Sequence, residues 1–342
     1  MTILVSGATG NIGRWVIRRL LAEGRDVRAL TRRPATARLP ARLPVAEGDL
    51  ARPESLPPAL KGVTAMLLFP VGEAVDEVVG LAVEAGVRRI VVLSSAAVTA
   101  GYDTEYHYPV ERAVERSGLE WTHVRPGEFA LNSLQLWGPS IRAERRVVDV
   151  YPDESGTPVH EADIADVAAA ALTGDGHAGR AYSLAGPGTL SHREQVAAIA
   201  EAIGEPIRLD EVTAEEARDF YRRQGGWAAD NADFLFGWED YSGAATGAAE
   251  EPGQPEASAV SAVSEGSEGA ARRESEHGSG SGHGSEQGSG SGDGHPEGEY
   301  AEPSVPWVTA ADVTGGTARD YGRWARDHAG DFGGPPAGER RR

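Results

Sequence analysis

The sequence predicts an α/β fold built on a doubly wound parallel sheet, and three observations predict it. Through the first 125 residues, short runs of aliphatic residues alternate with amphipathic stretches. The short runs are apolar along nearly their whole length, as strands covered on both faces must be. The first of them passes straight into a turn with three spaced glycines, Val5-Ser6-Gly7-Ala8-Thr9-Gly10-Asn11-Ile12-Gly13, which opens a helix.

The elements follow in order. Ile3 to Val5 reads as the first strand. Ile12 to Ala22 reads as a helix, because Ile12, Trp15, Val16 and Leu20 share one face. Strands are expected at Asp26 to Leu30, Leu43 to Ala46, Ala65 to Phe69, Ile90 to Leu93 and Trp121 to Val124. Between them, helices over Val75 to Ala85 and Val110 to Ser117 stop at Gly86 and Gly118. A series of this kind gives strand order 3-2-1-4-5 with further strands added, the Rossmann arrangement. After Pro126 the pattern changes to an alanine-rich helix at Asp163 to Leu172, a short strand at Ala181 to Leu184 and a helix at His192 to Ile203. These predict a smaller C-terminal α/β lobe over the carboxyl ends of the strands, where such sheets bind ligands.

Composition narrows the class. The chain has 342 residues, no cysteine and a net charge of -19, of which -10 lies between Gly243 and Pro303. Sulfur-based metal sites and disulfides are excluded, and no metal site is expected. An acidic body argues against nucleic acid, which needs a basic face. No apolar run approaches the roughly 20 residues of a membrane span, and Met1 leads directly into Thr2-Ile3-Leu4-Val5 without a basic leader. A cytoplasmic protein is expected. Residues 243–303 hold 14 glycines with many serines and acids, too little apolar surface to offset the entropy of ordering, so they read as a disordered insert. The expected organisation is a dinucleotide-binding domain over 1–150, a substrate lobe over 151–242 and 304–333, that insert, and a disordered tail over 334–342.

The three glycines answer three needs: a tight turn, close backbone approach to a pyrophosphate, and helix–strand packing. Gly7, Thr9, Gly10, Asn11, Ile12 and Gly13 are therefore the expected pyrophosphate loop, with the helix N-terminus facing the anion. After the second strand, where NAD binders carry an acid for the ribose hydroxyl, stand Arg32 and Arg33. Guanidinium pairs well with phosphate, so NADP(H) is expected over NAD(H). Asp49 and Leu50 follow the third strand at the adenine end, Asp49 serving either the adenine amino group or a helix cap. Phe69 and Pro70 end the fourth strand and flank the dinucleotide, and Ser94 ends the fifth at the nicotinamide end.

The chain resembles the NmrA-like group of atypical short-chain dehydrogenase/reductases over residues 2 to 240 and again from Trp307. The glycine loop carries part of the likeness, with Val92-Leu93-Ser94-Ser95 and His160-Glu161-Ala162-Asp163-Ile164-Ala165. More selective is Ser117-Gly118-Leu119-Glu120-Trp121-Thr122-His123-Val124-Arg125-Pro126, continued by Gly127-Glu128-Phe129-Ala130-Leu131-Asn132. The resemblance implies a dinucleotide fold, a small substrate lobe and NADP(H). Some members are quinone, azo or isoflavone-type reductases, and others are cofactor-sensing regulators.

Typical short-chain dehydrogenases use a Tyr-x-x-x-Lys dyad. Lys61 is the chain's one lysine, far from the helix that needs it, so that dyad is not assembled. The resemblance puts His107 at the lysine position, and a histidine can hold the ribose or move a proton near neutral pH. Tyr102, Tyr106 and Tyr108 stand near it; spacing does not single one out, and Tyr106 joins His107 as a candidate donor. Phe129, Asn132 and Trp137 are the expected acceptor-pocket residues, and Asp163 reads as a helix cap. The leading expectation is hydride transfer from NADPH to a small quinone or azo acceptor. The alternative is a non-catalytic NADP(H) sensor that meets a protein partner through 243–303, as a monomer or homodimer.

Overall fold

The computed structural model describes residues 1–238 and 306–334. The insert expected at 243–303 lies outside the described residues, as does the expected tail apart from Gly334.

Seven strands form one parallel sheet in the order β3-β2-β1-β4-β5-β6-β9. They are β1 (Thr2–Val5), β2 (Asp26–Thr31), β3 (Val45–Glu47), β4 (Val63–Leu68), β5 (Arg89–Leu93), β6 (Glu120–Pro126) and β9 (Arg180–Leu184). The remaining strands are short pairs: β7 (Arg146–Asp149) runs parallel to β11 (Arg208–Glu211), and β8 (Ser155–Gly156) antiparallel to β10 (Leu190–Ser191). Of the helices, α1 (Asn11–Ala22), α2 (Pro57–Leu60), α3 (Val75–Glu84), α4 (Ala96–Thr99), α5 (His107–Arg116), α6 (Leu131–Glu144) and α7 (Glu161–Thr173) accompany the sheet. Then come α8 (His192–Ile203), α9 (Ala214–Gln224), α10 (Gly226–Asp230), α11 (Ala232–Leu235), α12 (Ala310–Thr314) and α13 (Tyr321–Asp327).

Apolar runs become central strands because alternate side chains feed two separate cores. Ile3, Val5, Ala65, Leu67, Val91 and Leu93 enter the core shared with α1 and α7. Leu4, Met66, Leu68, Ile90 and Val92 enter the core shared with α2, α3 and α5. No helix of the described residues is long and apolar enough to cross a membrane.

The strand expected in the smaller lobe at 181–184 belongs to the main sheet instead, as β9 beside β6. The helix before it, α7, packs on α1 and covers that face of the sheet. A parallel neighbour requires a long crossover, and residues 127–179 supply it. The sheet domain thus draws on elements beyond residue 150.

At Val308 the chain is again part of the same sheet. Val308 bridges Leu184, its N–H donating to Ser183 O at 2.9 Å while its carbonyl accepts from Ala185 N at 2.9 Å. Tyr321, Trp324 and Phe332 are then fully buried. Asp163 is not the cap of α7: His160 is, its Nδ1 accepting from Ala162 N at 3.0 Å. Asp163 instead grips Arg319 of the returning segment, and Glu161 accepts from His328 Nε2 at 2.7 Å.

The Arg125-Pro126 of the selective segment has a structural role. Arg125 leaves β6 and donates from Nε and Nη2 to both oxygens of Glu111 on α5, at 2.8 and 2.5 Å, with Glu111 1 % exposed. A third bond reaches Thr99 at 3.1 Å. Deleting one partner strands a buried charge, so Arg125→Ala is expected to lose about 3–5 kcal/mol of stability. The apolar pair Arg125→Met with Glu111→Leu is expected to recover most of it, as read from urea midpoints of the three proteins.

Candidate active site at the carboxyl ends of the strands

Turning after β1, Gly7 sits at φ +58°, a region that disfavours side chains, with Phe69 packed against it. Gly10 N donates to Gly7 O at 2.9 Å and closes the loop. Gly10 is also the N-cap of α1 and brings no side chain to the helix's first turn. Gly13 allows α1 to lie on the loop backbone, because a Cβ there would stand 2.2 Å from Gly7 O. Buried Ser6 ties the loop to the next strand, donating to Leu67 O at 2.9 Å and accepting from Phe69 N at 2.7 Å.

Arg32 and Arg33 are exposed immediately past β2. Asp49 caps a turn rather than a helix, its Oδ1 accepting from Ala51 N at 3.1 Å, and Leu50 packs beside the α2–α3 core. Ser94 follows β5, is 4 % exposed, and its Oγ has no hydrogen-bond partner among the described residues. An orphaned hydroxyl at the end of a central strand is free to bond a ligand or a water there. The glycine cradle, the side-chain-free helix start and this hydroxyl fit a dinucleotide laid across the strand ends. Lys61 lies just before central β4, at the amino ends of the strands and so away from this site.

Asp103, which composition and spacing do not single out, is the neighbour of His107. Ser95 caps α4, and Ala97 O accepts from Tyr102 N and Asp103 N, which hangs the following loop beside the β5 end. Asp103 Oδ1 then accepts from the backbone N–H of Tyr106 and His107, at 3.0 and 2.9 Å, starting α5 at His107 rather than at Val110. Its Oδ2 takes His107 Nδ1. Burial opposes the Asp103 charge, yet these bonds hold its carboxyl down at about 2. The ring of Tyr106 stands edge-on to His107 with centroids 4.8 Å apart.

Beyond β6 the chain is pinned on both sides. Gly127 N donates to Leu184 O at 2.8 Å, Val159 N to Glu128 O at 2.7 Å, and Ala130 N to Val159 O at 3.0 Å. Phe129 is thereby buried in the core, whereas Asn132 and Trp137 line a cleft of about 800 Å³, its open mouth included. Glu128, Asp149, Glu154 and His192 line it too. His192 begins α8 and bonds Asp149 Oδ2 through Nδ1 at 3.0 Å. Burial works against its charge, but Asp149, Glu128 and Glu154 raise it above the usual histidine range. Burial pushes the Glu128 carboxyl up to about 7, against the lowering influence of His192 and Gln195.

A doubly wound parallel sheet with this cradle and cleft defines a dinucleotide-binding protein with a small-molecule pocket. Residues 7–175 match a family model described as NAD(P)H-binding. The chain is 41 % identical over 226 residues to a (4-alkanoyl-5-oxo-2,5-dihydrofuran-3-yl)methyl phosphate reductase of Streptomyces griseus, covering 63 % of this chain and 79 % of that one. It is 35 % identical over 230 residues to an NAD(P)H azoreductase of Xenophilus azovorans, with the same coverage. Among solved structures, an NADPH-dependent quinone oxidoreductase of Escherichia coli complexed with NADPH aligns with TM-score 0.60 and 25 % identity, over 76 % of this chain and 89 % of that one. The chain belongs to the NAD(P)H-binding, NmrA-like family of atypical short-chain dehydrogenase/reductases.

Proposed function

We propose that the protein is an NADPH-dependent reductase of a small conjugated acceptor of quinone or azo type, working without a Tyr-x-x-x-Lys dyad. The observation that carries this reading is the Asp103–His107 pair, four residues apart at the start of α5 and hydrogen-bonded beside the β5 end. Gly7, Thr9, Gly10, Asn11, Ile12 and Gly13 would hold the pyrophosphate, Arg32 and Arg33 the 2'-phosphate, and Ser94 the nicotinamide end. Asp49, Leu50, Phe69 and Pro70 would border the adenosine and the loop. When bound, the reduced nicotinamide supplies the hydride.

The protein's own contribution is position and a proton. Asp103 fixes the His107 ring through Nδ1, leaving Nε2 as the nitrogen that serves a ligand, as carboxylates orient catalytic imidazoles elsewhere. A histidine so held protonates the reduced acceptor, with Tyr106 at its side. Asn132 and Trp137 give the acceptor polar and aromatic walls. The names of the azoreductase and quinone oxidoreductase relatives support the acceptor class.

NADPH oxidation against quinones and azo compounds tests the reading: turnover with at least one acceptor is expected, and tight NADPH binding without any turnover overturns it in favour of a sensor. Cofactor choice has its own test. Charge-assisted bonds to phosphate contribute about 1.5–3 kcal/mol each, so Arg32→Ser with Arg33→Ser is expected to cut the NADPH-over-NADH affinity ratio by roughly a hundredfold, measured by calorimetry.

A further inference from the structure

We propose that the cleft beyond β6 receives an acceptor bearing a positive charge, on a protonated amine or a delocalised cationic nitrogen, and disfavours acceptors that place a sulfonate there. This rests on the reductase reading, which takes this cleft as its acceptor pocket. Three carboxylates face the cleft, Glu128, Asp149 and Glu154, against one basic side chain, His192. Asp149 and His192 satisfy each other at 3.0 Å. Glu128 and Glu154 remain, and among the described residues neither has an arginine or lysine partner.

The walls agree with this charge. Trp137, Tyr221 and Phe236 line the cleft, and aromatic faces attract cations, more strongly where water is excluded. A buried amide adds a polar group to the wall. Gln195 lines the cleft and is 1 % exposed, and its Nε2 makes no hydrogen bond of ordinary geometry although it lies near enough to Glu128 to favour the charged carboxylate. A buried donor in that position suits an azo nitrogen or carbonyl oxygen.

The position of Glu128 makes the preference depend on pH. Its carboxyl packs so closely on Gly156 that a Cβ there would meet Oε2 at 2.0 Å. Facing it are His192 from α8, Glu154 from the turn before β8 and the phenol of Tyr321 from α13, with Asp149 at the end of β7 bonded to His192. Burial raises this carboxyl to about 7, and burial likewise raises Glu154, opposed by His192 and aided by Asp149. A bound cation favours carboxylate and expels the proton, so affinity for it rises as pH climbs through 7. An anion would face Glu154 and whatever fraction of Glu128 is charged, a like-charge contact in a desolvated site.

The test uses the full chain and three azo dyes of one skeleton, substituted at the same position with trimethylammonium, tert-butyl or sulfonate. Binding is followed by calorimetry with NADP+ present, in two buffers of different ionisation enthalpy. The ammonium dye is expected to bind at least about tenfold tighter than the neutral one and the sulfonate at least about tenfold weaker. Near pH 7, binding of the ammonium dye should release protons, and fewer in Glu128→Gln. Glu128→Gln and Glu154→Gln should each shrink the ammonium-to-neutral ratio by about tenfold. A sulfonate dye that binds as well as the neutral one, or a ratio untouched by both substitutions, overturns the proposal. Because binding is read without turnover, charge preference without NADPH oxidation would refute the reductase reading alone, and oxidation without charge preference would refute this inference alone.

Discussion

Gly13→Ala is expected to weaken NADPH binding by at least about a hundredfold and to lower the melting temperature of the apoprotein. The added Cβ would stand 2.2 Å from Gly7 O, 2.8 Å from Gly7 C and 3.0 Å from Ala8 Cα. All three are backbone atoms of the pyrophosphate turn, so no side chain can move aside. Either α1 lifts off the loop or the loop opens, and both misplace the amides on which the anion depends. The cost falls on recognition as well as on packing. Gly24→Ala is the informative control. Gly24 has φ +70° but nothing within 4 Å of its would-be Cβ, so it should cost about 1 kcal/mol of stability and leave NADPH affinity within about twofold. Calorimetric titration and thermal melts of the two variants separate a loop effect from general destabilisation.

The same contrast explains what could be seen from the residues alone. The glycine loop is local: three glycines lie between the end of one strand and the first turn of the next helix, and each leaves a mark on the sequence. Strand order was legible for the same reason, since apolar runs between amphipathic helices have few ways to pair. The cleft is not local. Glu128, Asp149, Glu154 and His192 come from four segments, and neither hydropathy nor spacing announces that Asp149 will meet His192. Glu128 stood inside the selective segment, but its environment comes from burial against Gly156 and α8, which no one-dimensional pattern encodes. Phe129 is drawn inward by the backbone pairing of Glu128 and Ala130 with Val159, which residue type alone does not announce. Residues 181–184 were recognised as a strand, yet only the crossover through 127–179 reveals their neighbour. Asp103 is the instructive case, because a signal was present without singling it out. An acid four residues before His107, in the loop just ahead of a helix start, is placed to hold both the first backbone N–H groups and the imidazole.

That pairing makes His107 the other position of large expected effect. His107→Ala removes the imidazole and the group that occupies Asp103 Oδ2, and general acid–base catalysis by a positioned side chain contributes about 10²–10⁴-fold. We expect kcat for a quinone or azo acceptor to fall by roughly two orders of magnitude or more, with NADPH affinity nearly unchanged. Asp103→Asn should cost less, roughly tenfold. Its side-chain oxygen still accepts from the Tyr106 and His107 amides, so the cap survives while the ring loses its anionic anchor. A purely structural role for the pair predicts a different pattern: both variants would lose melting temperature in step with activity, and small molecules would restore neither. Added imidazole distinguishes the two, because it can occupy the space left by His107→Ala and move a proton, but cannot replace a helix cap. Recovery of turnover in His107→Ala with imidazole, and none in Asp103→Asn, would assign the proton to the ring and its aim to the carboxylate. If His107→Ala retains full turnover, the acceptor takes its proton from solvent or from Tyr106, and the two are told apart by Tyr106→Phe.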